Sequence, residues 1–136
     1  MTPFSRRDFV RLLIAAGLGN SLPLRAAHAA LSSADDAPSP LPGRLSILFT
    51  AKESARKVGR RYLQRFPHEA DVHRLTLLIC RSERRRARLA RVDAPTMRNI
   101  LAKQQRQDFR NRRIVAIDGW MLSETEARLC AIAALI

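Results

Sequence analysis

From Thr50 onward the apolar positions repeat mostly at helical spacing. Ala55, Val58, Gly59, Tyr62, Leu63 and Phe66 fall on one face of a helix, and Thr50 followed by Glu53 reads as a capping box opening it. Pro67 removes Phe66 from the helical region and ends the helix. A second helix is expected from about Glu69, with Val72, Leu75, Leu78 and Ile79 inward, running through the arginine-rich stretch to Arg91. Asp93-Ala94-Pro95 is a break with Pro95 suited to a first turn, and a third helix then carries Met97, Ile100, Leu101 and Phe109. After Arg113 the pattern changes. Residues 113 to 117 are rich in β-branched side chains, Asp118-Gly119 is a tight-turn pair, and Trp120 to Leu122 can return as a second strand. Ser123 with Glu126 is another capping box, opening a last helix whose Ala127, Cys130, Ala131, Ala134 and Leu135 can face a core. The fold class expected is mostly α: a small domain of about four helices with a short β-hairpin before the last helix, spanning 45 to 136.

The first 44 residues follow another rule. Residues 30 to 44, with three prolines among Ser, Asp and Gly and no apolar period, read as a flexible linker. Before them, a charged start, an apolar run diluted by Gly17, Gly19 and Asn20, and the small-any-small triplet Ala27-His28-Ala29 occur in order. That order makes residues 1 to 29 a cleavable leader, with cleavage between Ala29 and Ala30. Residues 5 to 11, SRRDFVR, resemble the twin-arginine leader pattern, with Val10 and Arg11 as conservative departures and Arg6, Arg7 and Phe9 as the export signal. The resemblance implies the twin-arginine translocase as a partner, a periplasmic destination, and cargo that folds before export.

Charge alters the picture further. The chain holds 25 Lys+Arg against 12 Asp+Glu, and after residue 29 the balance is still 21 to 11, so the basicity does not come from the leader. Such a domain is drawn to acidic proteins, polyanions or anionic lipid. On a continuous helix Arg81, Arg84, Arg85, Arg88 and Arg91 would form one stripe, either a solvated face or a partner contact. No aromatic stacking residues accompany the stripe, so nucleic acid is not an expected partner.

Little else carries chemistry. His68 and His73 are five apart and would not share a helix face as metal ligands do at a spacing of four. No CxxC pair and no glycine-rich phosphate loop is present, so no cofactor is expected and the chain reads as a binding protein rather than an enzyme. Ser123, Glu124 and Glu126 are explained by capping, which leaves no acid–base set. Cys80 and Cys130 can be a disulfide in an oxidising compartment or two inert buried thiols. Trp120 can be a core anchor or a partner hot spot.

The C-terminal block 114 to 135, IVAIDGWMLSETEARLCAIAAL, resembles the ends of other small twin-arginine-exported proteins. More distantly it is similar to the small subunits of periplasmic flavin dehydrogenases of the gluconate dehydrogenase type. In that family the cofactor would lie in the large subunit, so the resemblance implies an accessory subunit of an exported oxidoreductase with a larger exported partner. The alternative drawn from charge is a free-standing basic periplasmic protein on anionic lipid or another polyanion.

Overall fold

In a computed structural model, residues 40–136 are described; the leader residues Arg6, Arg7, Phe9, Ala29 and Ala30 and most of the linker lie outside them. The described chain runs α1 (Leu41–Ser46), α2 (Lys52–Arg65), a 3-10 turn (Pro67–Glu69), α3 (Val72–Cys80), α4 (Glu83–Arg91), α5 (Ala94–Arg110), β1 (Ile114–Ile117), β2 (Trp120–Ser123) and α6 (Glu124–Leu135). It is a mostly helical domain with an antiparallel hairpin before the final helix.

Most boundaries follow from local chemistry. Asp71, Ser82, Asp93 and Ser123 each accept a hydrogen bond from the backbone N–H three residues on, which satisfies a donor that the first turn leaves unpaired. Pro67 ends α2 as expected, and Pro95 sits in the first turn of α5. In the hairpin Asp118 (φ 47°) and Gly119 (φ 80°) both have positive φ, the conformation a two-residue turn needs to match strand twist. The register pairs Val115 with Leu122 and Ile117 with Trp120 on the inner face, and Ala116 with Met121 on the outer.

Four features depart from the sequence pattern. Thr50 caps nothing: the N-cap of α2 is Ala51, without a side-chain bond, and Glu53 pairs instead with Arg56 at 2.8 Å. The long second helix is two, broken where Arg81 turns left-handed at φ 62° and Ser82 starts α4. The fold begins before residue 45, because α1 starts at Leu41 inside the segment read as linker. Leu41 and Leu45 are buried, and Arg44 donates to the carbonyls of Leu89, Ala90 and Val92 at the end of α4, filling acceptors that a helix C-terminus leaves free. Finally, Phe109 and Leu135 are exposed rather than inward, while Leu129 and Ile132 are fully buried.

The last helix is the hub. α6 touches α1, α2, α3, α5 and both strands, and its most extensive contact is with α2. Residues all round it are buried, which is the pattern of a central helix rather than a surface one. Its small side chains permit close approach: Gly59 of α2 lies directly over the Cys130 carbonyl.

Glu69 and Glu126, two of the three buried carboxylates among the described residues, differ in their partners. Tyr62 donates to Glu69 Oε2 at 2.5 Å, and Arg128 reaches both Glu69 oxygens at 3.1 and 3.2 Å. Burial opposes ionisation of Glu69, but the bonds from Arg128 and Tyr62 hold its carboxyl below the ordinary range. Glu126 has no such cation. Burial pushes it up to about 7, with the Ser123 backbone bond pulling the other way. The folded carboxyl therefore holds its proton more tightly than the unfolded one at 4.5. Its stabilising contribution is full below about pH 4.5 and is lost as the pH rises to about 7. Glu126→Gln stays neutral and can still complete a capping box. Urea unfolding is expected to find the variant more stable than the parent by up to about 3 kcal/mol at pH 8 and equal to it at pH 4. An unchanged difference between the two pH values would place the titration elsewhere.

Candidate anion-binding face

The arginines of the expected stripe do not stay together. Arg81, at the left-handed end of α3, turns inward and donates to Asp108 Oδ1. The other oxygen of Asp108 accepts from Thr125 Oγ1 at 2.5 Å and from the Thr125 N–H at 3.2 Å. Gln104 completes the network, its Nε2 donating to the Ile79 carbonyl at 2.8 Å and to Thr125 Oγ1 at 2.9 Å. Asp108, Gln104 and Thr125 are all buried, so this chain of bonds ties α3, α5 and α6 at their polar crossing.

Arg84, Arg85 and Arg88 of α4 line an open cleft against Lys103, Gln104 and Gln107 of α5. Its volume is about 510 Å³, and Leu89 and Ile100 supply an apolar part of its wall. Arg91 is exposed and is not among the cleft residues. Among the described residues none of Arg84, Arg85, Arg88 and Lys103 has an ion-pair partner. Burial pushes the Arg85 guanidinium below the ordinary arginine value, and the positive charges of Arg81 and Arg88 add to the effect.

The acids explain why the cations are left over. Glu53, Glu83, Asp118 and Glu124 are paired with Arg56, Arg86, Arg61 and Arg128. Asp71 and Asp93 cap helices. Glu69 and Asp108 sit in buried networks, and Glu126 is enclosed. Every Asp and Glu side chain between residues 40 and 136 is thus engaged within the fold, which leaves Arg84, Arg85, Arg88 and Lys103 among the cations without an acidic partner there.

Sequence spacing found the three arginines but missed Lys103, Gln104 and Gln107, which reach the cleft only because α5 lies beside α4. One signal was available. Met97, Leu101, Gln104 and Asp108 follow one inward-facing helical row, and polar residues at its last two positions mark a buried network.

The remaining candidates separate. Trp120 is half-buried and packs against the core, and it also lines a second cleft of about 600 Å³ with Lys57, Arg60, Arg61 and Asp118. Cys80 and Cys130 are free thiols, so the bond left open by the sequence is not formed. Both are buried. Burial pushes the Cys80 thiol up to about 11, against the pull of Arg86 and Arg85, and pushes Cys130 well above its ordinary value. Such thiols stay protonated and unreactive. His68 and His73 are exposed, and His68 lies edge-on to Phe66 with ring centres 6.2 Å apart. Among the described residues no group of three or more His, Cys, Asp or Glu could hold a metal, and no helix is long and apolar enough to cross a membrane. The fold thus defines a class, a basic helical domain with a buried polar network beneath a cationic cleft. No family model matches the chain, and no curated protein or solved structure is similar to it.

Proposed function

We propose that this protein is a non-catalytic accessory subunit of an exported, cofactor-containing oxidoreductase. It travels with that larger partner through the twin-arginine translocase to the periplasm and loses its leader between Ala29 and Ala30. The observation that carries the reading is the outer face of the hairpin. Ile114 and Met121 are 38% and 56% exposed there, with Ala116 between them, while Ile117 and Leu122 opposite are buried in the core. A two-stranded ribbon with an apolar outer face is a surface that a partner's helix or strand completes. The twin-arginine pattern and the C-terminal resemblance support the same reading.

Two experiments test it. Replacing both Arg6 and Arg7 by Lys is expected to hold the precursor in the cytoplasm, because lysine does not reproduce the paired guanidinium geometry. Undiminished mature protein in the periplasm would refute the export route. Tagged protein recovered from periplasm is expected to bring down a larger chain with flavin or other cofactor absorbance, and Ile114→Glu with Met121→Glu to lose it. A clean monomer would instead favour a free-standing basic protein on anionic lipid or another polyanion, the reading to which the cations without an acidic partner point.

A further inference from the structure

The cleft between α4 and α5 has more definition than a charged surface. Arg84 and Arg85 lie in the first turn of α4, where the helix dipole already favours negative charge and disfavours cations. Arg84 and Arg88 are four apart on the same helix, a repulsive spacing for like charges. Arg85 is partly withdrawn from water without an ion-pair partner. Lys103 brings a fourth cation from the opposite wall. Taken alone this arrangement works against the fold. An anion seated in the cleft would relieve every one of these conflicts together.

One residue of the wall is tied into the core. Gln104 is 1% exposed, and both acceptors of its Nε2 are identified, so the orientation of the amide is settled by the Ile79 carbonyl, which can only accept. Its Oε1 has no partner. Buried polar atoms are almost always satisfied, and Gln104 Oε1, like Gln105 Nε2 outside the cleft, is an exception among the described residues.

We propose that this cleft is a phosphate-binding site, taking the phosphate of a small organic ester or of a lipid headgroup. Three guanidinium forks and an ammonium suit a group that carries up to two charges and several acceptor oxygens, better than they suit a single carboxylate. Leu89 and Ile100 give the ester's carbon part an apolar surface, and a volume of about 510 Å³ admits a headgroup but not a folded chain. The site gives a place and a ligand class to the anion-binding reading and does not depend on the accessory-subunit reading.

The test uses the purified protein at about 0.15 M salt, where weak long-range attraction is screened. Calorimetric titration with glycerol 3-phosphate forms one arm, and sedimentation with phosphatidylglycerol vesicles, against phosphatidylcholine vesicles, forms the other. Binding in either arm is expected to weaken at least about tenfold in Arg85→Gln/Lys103→Gln. It should change less than about twofold in Arg60→Gln/Arg74→Gln, which removes the same charge from α2 and α3. Loss confined to glycerol phosphate identifies a soluble ester, and loss confined to vesicles identifies the headgroup. Because Arg85 is partly buried, Arg84→Gln/Arg88→Gln at exposed positions repeats the test, with circular dichroism confirming an intact helical fold. Equal weakening by the cleft and remote pairs would reduce the effect to net charge and overturn the site, as would the absence of binding in both arms.

Discussion

Gly59→Ala is expected to destabilise the protein by about 3 kcal/mol or more, although the substitution improves intrinsic helix propensity by about 1 kcal/mol. A Cβ at this position would stand 2.0 Å from the Cys130 carbonyl oxygen, 2.5 Å from its carbon and 2.9 Å from Ala134 Cβ. Two of those three atoms are backbone of the central helix and cannot rotate aside. Helices α2 and α6 would have to separate along the largest contact in the domain, loosening Ala55, Tyr62 and Ile132 with it. Gly119→Ala is the matched comparison, because there nothing lies within 4 Å and only the positive φ of 80° is offended. Its expected loss is about 1 kcal/mol. Urea unfolding of both variants decides the matter. A Gly59→Ala protein as stable as the parent would mean that α2 and α6 do not approach this closely.

Arg81→Ala is expected to cost about 3 to 5 kcal/mol, far above the usual effect of removing a surface arginine. Its guanidinium is 28% exposed, but the carboxylate it serves, Asp108, is wholly buried. Without Arg81 the Thr125 hydroxyl and N–H are left as the hydrogen-bond donors to that charge. Arg81→Gly separates the two contributions of the position. Glycine relieves the left-handed backbone at φ 62°, worth about 1 kcal/mol, and still loses the charge partner. Combining Arg81→Ala with Asp108→Asn is expected to be less damaging than the two losses added, since a neutral amide no longer needs the cation. The coupling should be about 2 kcal/mol. Strict additivity in this cycle would show that the pair is not formed in solution.

Gly59 and Arg81 also show where reading the chain succeeds and where it stops. Gly59 was recognisable as part of an inward face from spacing alone, yet the closeness of the backbone across from it was not. By spacing alone Arg81 is one of five arginines on a continuous helix. Nothing within residues 72 to 91 forbids that helix, since no proline or glycine interrupts it. The break is enforced by Asp108, 27 residues away, which rewards an inward-turned Arg81 with a buried ion pair. Likewise Leu41 and Arg44 looked like linker because their proline-rich surroundings carry no period. Arg44 finds its partners in the carbonyls at the end of α4, 45 residues or more along the chain, and Leu41 is buried in the core.

Local chemistry is legible in the chain without the fold: Ser123 as a cap, the Asp118-Gly119 turn, the stop at Pro67, and a mostly helical domain with one hairpin. These depend on a few neighbouring residues whose backbone preferences and hydrogen bonds act over one turn. Only the packed fold places α6 at the centre, engages every Asp and Glu side chain between residues 40 and 136, and brings Arg84, Arg85 and Arg88 to meet Lys103 and Gln104 across a cleft. The physical reason is the reach of the forces involved. Capping and turn formation are settled between adjacent residues, whereas burial and the matching of charges are settled only when distant segments compete for the same partners.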